Sequence, residues 1–298
     1  MGFRADARST QAEWMDGDDV SDADMAACLR DLARVNALML ARRPTLAFLG
    51  HAARWRDGGR PLRIIDVGAG EGDMLRAIHG WAARRGLAVE LAGYDLNPRC
   101  VAAARAATPA AMGIAFVHGD AADAPEPADL ILSSLVAHHM ADAELAGFLA
   151  WQDRAARLGW FVNDLRRHWF AYHGFRVLSS VAGWHRFVRH DGPVSVARSF
   201  VRADWDRLLA AAGVAGAQVE AWFPFRWGVG KVRARQLRAA GIADAATLAH
   251  ASVEEVARAL DVAPGKLARS LIQQAQRALV QVGPTKKRSA PGTPPAAN

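Results

Sequence analysis

Ile64-Ile65-Asp66-Val67-Gly68-Ala69-Gly70-Glu71-Gly72 is the stretch whose reading decides the fold. Its apolar start has the length and branching of a buried strand, and the glycines that follow mark a tight turn. Glu71 to Arg85 then carries a helical pattern, and Val89-Glu90-Leu91-Ala92-Gly93-Tyr94-Asp95 reads as a second strand. Asp95 closes that strand 23 residues beyond Gly72. Strand, glycine turn, helix, strand and terminal acid is how an open α/β sheet holds a nucleoside. Backbone approaches the ligand at the glycines, and a carboxylate takes the ribose hydroxyls. A dinucleotide fingerprint needs glycines at the first, third and sixth positions, and here the sixth is Asp73. The glycines stand instead at one, three and five, which argues against a nicotinamide cofactor.

Outward from this unit the alternation continues. Asn97-Pro98 opens a helix, with proline in its tolerated first turn. Ile114 to Asp120 is a third strand ending in a second acid, and Ala128 to Ser134 is a fourth, apolar throughout and so buried on both faces. Gly159 to Asp164 makes a fifth. Strands alternating with helices imply a parallel sheet with right-handed crossovers. Residues 165–203, rich in aromatics and histidine, exceed a minimal unit and read as an inserted lid before a helix at Asp204–Leu209. Val219 to Phe225 reads as one late strand. Upstream, residues 1–60 form a helical segment with a capping-box-like start at Ser21 and Asp24.

The glycine run resembles motif I of the class I S-adenosylmethionine-dependent methyltransferases, and the resemblance covers roughly Pro61 to Arg226. It implies an α/β fold, a doubly wound Rossmann-like methyltransferase sheet, with S-adenosyl-L-methionine as cofactor. It implies that Asp66, Gly68, Ala69, Gly70 and Gly72 shape the cofactor loop and that Asp95, with Leu96 beside it, holds the ribose. Asp120, in His-Gly-Asp-Ala-Ala-Asp, resembles the acid that contacts the adenine amino group, and Ala121 supplies a backbone N–H nearby. Ser133 opens Ser-Ser-Leu-Val-Ala-His-His-Met, similar to the Ser-x-x-Leu-His-His strings of small-molecule methyltransferases. Asp66 has two open roles, contact with the ligand or support of the loop. The N-terminal helices either cover the substrate, as in many relatives of this type, or only pack on the sheet.

Methyl transfer to a phenol or enol is helped by a general base, and histidine is the natural choice. His139 is the first candidate and His138 the second, both just beyond the fourth strand. His168, His173, His185 and His190 in the lid are further candidates. No histidine pair has the i, i+4 spacing with a carboxylate partner that zinc motifs show, so no metal is expected. The Asn/Asp-Pro-Pro-aromatic string of base-modifying enzymes is missing, since Ser133-Ser134-Leu135-Val136 stands in its place. The expected acceptor is small and aromatic or of polyketide or quinone type, with methylation on oxygen favoured and on carbon the alternative.

Apolar residues make up 51% and charged residues 22%, so a packed core follows and global disorder does not. Two cysteines exclude a disulfide framework, and neither a secretory leader nor a membrane-spanning run is present, which leads to the cytoplasm. The net charge is +7, and residues 229–298 hold 11 Lys/Arg against 4 Asp/Glu, so the surplus lies there. Gly228-Val229-Gly230 with the helical pattern after it resembles half of a helix-hairpin-helix module, whose glycine turn offers N–H groups to phosphate. The domain expectation is therefore 1–60 helical cap, 61–228 methyltransferase domain, 229–282 helical domain and 283–298 disordered tail. The second functional reading is a nucleic-acid-modifying methyltransferase targeted by residues 229–288, with nucleic acid or protein as partner.

Overall fold

Leu62–Val67 forms β1, and its side chains alternate between two cores: Ile64 belongs to one and Ile65 to the other. The same alternation runs through β4 (Leu130–Ser134) and β5 (Gly159–Leu165), which explains their unbroken apolar runs. β2 (Val89–Asp95) and β3 (Ala115–His118) complete the first half of the sheet, and β6 (Gln218–Trp222) and β7 (Arg226–Val232) the second. The computed structural model describes residues 3–17, 20–53, 60–233, 237, 239–242, 245–260, 264–265, 268–269, 271–273 and 275–276.

The seven strands lie in the order β3-β2-β1-β4-β5-β7-β6. β1 to β5 pair in parallel, and β7 pairs antiparallel with both β5 and β6. Strand order reverses between β1 and β4, which opens the crevice where such sheets bind ligands. The fold is the doubly wound α/β sheet that the sequence implies, with two corrections. The late segment is a hairpin of two strands, and the sheet is mixed.

Helices α1 (Asp22–Leu38), α2 (Arg42–Ala52), α3 (Asp73–Ala83), α4 (Pro98–Ala107) and α5 (Asp142–Ala155) precede β5. Ser21 caps α1 by accepting the Asp24 N–H, and Asn97 caps α4 by accepting from Arg99. Between β5 and β6 come α6 (Trp169–Val181), α7 (Arg186–Arg198) and α8 (Arg202–Ala211). α1 buries Met25, Cys28 and Leu29 with Phe187 and Val188 of α7, so the N-terminal segment packs on the inserted helices.

Gly228-Val229-Gly230 is not a phosphate-binding turn. It lies inside β7, paired with β5 on one side and β6 on the other. A Cβ on Gly230 would stand 2.6 Å from the Trp160 carbonyl oxygen, and one on Gly228 2.7 Å from the Phe161 ring. These glycines serve close strand packing, which a sequence cannot distinguish from a ligand turn. The sheet thus runs to Val232, four residues past the expected boundary.

The chain divides into two units, one of residues 1–56 and 60–236 and one of 57–59 and 237–298. In the second, α9 (Ala245–His250) and α10 (Val253–Leu260) bury Val256, Ala257 and Leu260 with Leu237, Ile242 and Leu271. The expected tail at 283–298 lies outside the described residues. Among the described residues, no helix is long and apolar enough to cross a membrane.

Candidate active site

At the end of β1 the chain turns through Gly68, Gly70 and Gly72 at φ of +68°, +53° and +78°. Gly68 is required twice over, because a Cβ there would also sit 2.3 Å from Val136 beyond β4. Gly70 has nothing within 4 Å of its would-be Cβ, so the loop faces open space there. Its N–H donates to Asp95 Oδ2 at 2.9 Å, and the Asn97 N–H donates to Oδ1 at 2.9 Å. The two parts of the sequence motif are thereby fixed to each other.

Above them lies a cavity of about 630 Å³. Gly68, Ala69, Gly70 and Asp95 line it, as do His138 and His139. Gly72 caps α3 behind the loop in the left-handed conformation. Asp66 is buried beneath, with Oδ1 lacking a hydrogen-bond partner among the described residues. Burial pushes its carboxyl well above the usual range, and Asp73 and Asp95 add to the rise. Ser133 is also buried and is not part of the cavity lining, whereas Ser134 is. Leu96 is 74% exposed. Asp120 caps the short turn at Ala121–Asp123 by accepting the Ala122 N–H at 2.9 Å, and Ala121 is buried. Leu96, Asp120 and Ala121 lie outside the lining of this cavity.

The histidines sit on a 3-10 turn, Ala137–His139, directly after β4. His138 Nδ1 faces Asp164 Oδ1 on β5 at 2.8 Å, and the His138 N–H donates to the other oxygen at 3.2 Å. On the opposite side of the ring, Nε2 stands 3.5 Å from Glu13 Oε1. His139 Nδ1 lies 3.1 Å from Asp16 Oδ2, and its Nε2 3.8 Å from Glu13 Oε2. Burial alone lowers the His138 pKa, but Asp164 and then Glu13 overcome it and raise the value to about 9. For Asp164 burial likewise opposes ionisation, and His138 reverses this and holds the carboxyl below its ordinary value. Carboxylate charge on both sides makes this a place that favours positive charge.

The turn is clamped from behind. Arg198 donates to the carbonyls of His138 and His139 at 3.1 and 2.8 Å, and Arg8 to those of His138 and Met140 at 3.2 and 3.0 Å. Ser195 donates to Glu13 Oε1 at 2.8 Å, and Asp191 accepts the N–H groups of Trp14 and Met15. Sequence reading missed Glu13, Asp164, Asp191 and Ser195. The one available signal was Asn163-Asp164 at the end of an otherwise apolar strand, since buried polar groups need partners.

The lid histidines are elsewhere. His168 and His185 cap α6 and α7, His173 packs on Trp169, and His190 stacks on Trp14. None of the four lines the cavity among the described residues.

Residues 64–159 match a family model described as a methyltransferase domain, and residues 228–277 one described as a SAM-like helix-hairpin-helix tandem. No curated protein matches the sequence. Among solved structures, the chain is similar to magnesium protoporphyrin IX methyltransferase from Synechocystis PCC 6803 at 17% identity and a TM-score of 0.46, covering 73% of this chain and 90% of that one. It is similar to human N-acetylserotonin methyltransferase at 17% identity and a TM-score of 0.49, covering 71% of this chain and 56% of that one. A plantazolicin methyltransferase, BpumL, aligns at 16% identity and a TM-score of 0.46 over 67% and 79% of the two chains. The chain thus spans little more than half the length of the human enzyme. Likeness this weak attaches none of these activities to the chain. The family match spans residues 64–159, the stretch that carries the glycine loop and its hydrogen bond to Asp95.

Proposed function

We propose that this protein transfers the methyl group of S-adenosylmethionine to an oxygen of a small, largely apolar acceptor. The observation that carries the reading is one cavity lined by both the glycine loop and the histidine turn. At about 630 Å³ it lies within the range of small-molecule and cofactor sites. Asp95, held beside Gly70, would take the ribose hydroxyls, and the loop amides would face the rest of the adenosyl group. Met39, Leu135, Phe170, Phe175, Leu178 and Phe225 supply an apolar wall for an aromatic, polyketide or quinone-type acceptor.

The cofactor brings the activated methyl group, and the chain aligns the acceptor with it. The bound cofactor would supply its methyl carbon to the acceptor oxygen, with S-adenosylhomocysteine as the other product. The acceptor's proton passes to His139, which lines the cavity beside Glu13. Alignment of this kind supplies about 7–11 kcal/mol of a barrier in favourable cases.

The test is incubation of the purified chain with S-adenosylmethionine and a panel of phenols and enols. S-adenosylhomocysteine formed together with a singly methylated product supports the proposal. Turnover only with DNA or RNA, or with no acceptor, contradicts it.

A further inference from the structure

We infer that Glu13, His138 and His139 form a binding site for one borderline divalent cation, such as Zn²⁺ or Co²⁺, at the wall of the cavity. One ligand atom from each residue lies within 4.8 Å of the others. The Nε2 atoms of both histidines face the same carboxylate, at 3.5 and 3.8 Å. These separations exceed the ~2.7–3.2 Å of a hydrogen bond. They are close to the roughly 3.0–3.4 Å between two donors that share one ion at ~2.0–2.2 Å. The Glu13 carboxylate thus stands between the two imidazoles, paired with His138 and close to His139.

What lies behind each ligand strengthens the inference. A metal-bound imidazole usually donates its other N–H to a carboxylate, which fixes the tautomer and aims the lone pair. Here both do: His138 Nδ1 faces Asp164 at 2.8 Å and His139 Nδ1 faces Asp16 at 3.1 Å. Glu13 is oriented by the Ser195 hydroxyl at 2.8 Å. The histidine backbone is held by Arg8 and Arg198. Two imidazoles and one carboxylate suit Zn²⁺, Co²⁺ or Fe²⁺ and disfavour the oxygen-loving Mg²⁺ and Ca²⁺. All three residues line the cavity, so an ion held by them would be reached from it. A glutamate from before α1 and two histidines after β4 are 125 residues apart, which is why sequence spacing gave no sign of a site.

The inference goes beyond methyl transfer and is read without cofactor or acceptor. The experiment is calorimetric titration of the tag-free, chelator-treated full-length chain with ZnCl₂, CoCl₂ and MgCl₂. Expected are one Zn²⁺ and one Co²⁺ per chain at micromolar affinity or tighter, and at least 100-fold weaker Mg²⁺ binding. His139→Ala and Glu13→Gln should each weaken Zn²⁺ at least tenfold, while His173→Ala, a histidine away from the cluster, leaves it unchanged. His139 is partly exposed, so its variant keeps the test decisive if Glu13→Gln fails to fold. No saturable Zn²⁺ binding by the wild type, or binding unchanged in His139→Ala, overturns the inference. A chain that binds Zn²⁺ and transfers no methyl group keeps the inference and overturns the proposed function.

Discussion

The Gly70 N–H donates to Asp95 Oδ2 at 2.9 Å, tying the turn after β1 to the end of β2 across 25 residues of chain. The two nearby glycines should separate fold from binding. Gly70→Ala meets no neighbouring atom, so its penalty is the left-handed backbone, about 1–2 kcal/mol. It should mainly weaken S-adenosylmethionine. Gly68→Ala adds a 2.3 Å collision with Val136 and should cost a further ~1–3 kcal/mol. Thermal unfolding and calorimetry on both variants check the ordering.

Asp66 sets a pH dependence. Its folded pKa is raised by burial, with Asp73 and Asp95 contributing, so the unfolded chain loses this proton first as pH rises. Stability should therefore fall from about pH 4 upward toward the raised folded value, by up to about 1.4 kcal/mol per pH unit. Asp66→Asn should remove that slope and be the more stable protein at pH 7. Denaturant titrations of both proteins between pH 5 and 8 decide it, and an unchanged slope would contradict the account.

Asp164 should matter for folding far more than Asp16, although each faces a histidine. Asp164→Asn leaves buried His138 without its main counter-charge and should destabilise by about 3–5 kcal/mol. Asp16 and His139 are partly exposed, so Asp16→Asn should cost under ~1 kcal/mol. Urea midpoints measure both.

Gly230→Ala distinguishes a strand from a phosphate turn. Its Cβ would meet the Trp160 carbonyl oxygen at 2.6 Å, so the variant should lose ~1–3 kcal/mol of stability. A variant with full stability that had instead lost salt-sensitive DNA binding would contradict the placement of this glycine in β7.

The sheet was legible because its strands are punctuated by local signals. The glycines after β1, Pro98 at the start of α4 and Ser21 before α1 each fix a boundary through backbone chemistry. The antiparallel β7 was not legible, because its glycines serve contacts with Trp160 and Phe161 that lie about 70 residues away. Asp95, which lines the cavity, stands out by its motif spacing. Glu13 does not, since nothing within the first turn of helix around it marks a partner more than 120 residues distant. Charges paired across the fold leave no local pattern, whereas turns and caps do.

Calorimetric titration of the full-length chain with S-adenosylmethionine and with NADH, for the wild type and Asp95→Ala, is the most direct measurement of the central claim. The account predicts one S-adenosylmethionine per wild-type chain, a loss of roughly 10–100-fold in Asp95→Ala as the charged hydrogen bonds vanish, and no NADH binding. Tight NADH binding, or S-adenosylmethionine affinity equal in the two proteins, would contradict it.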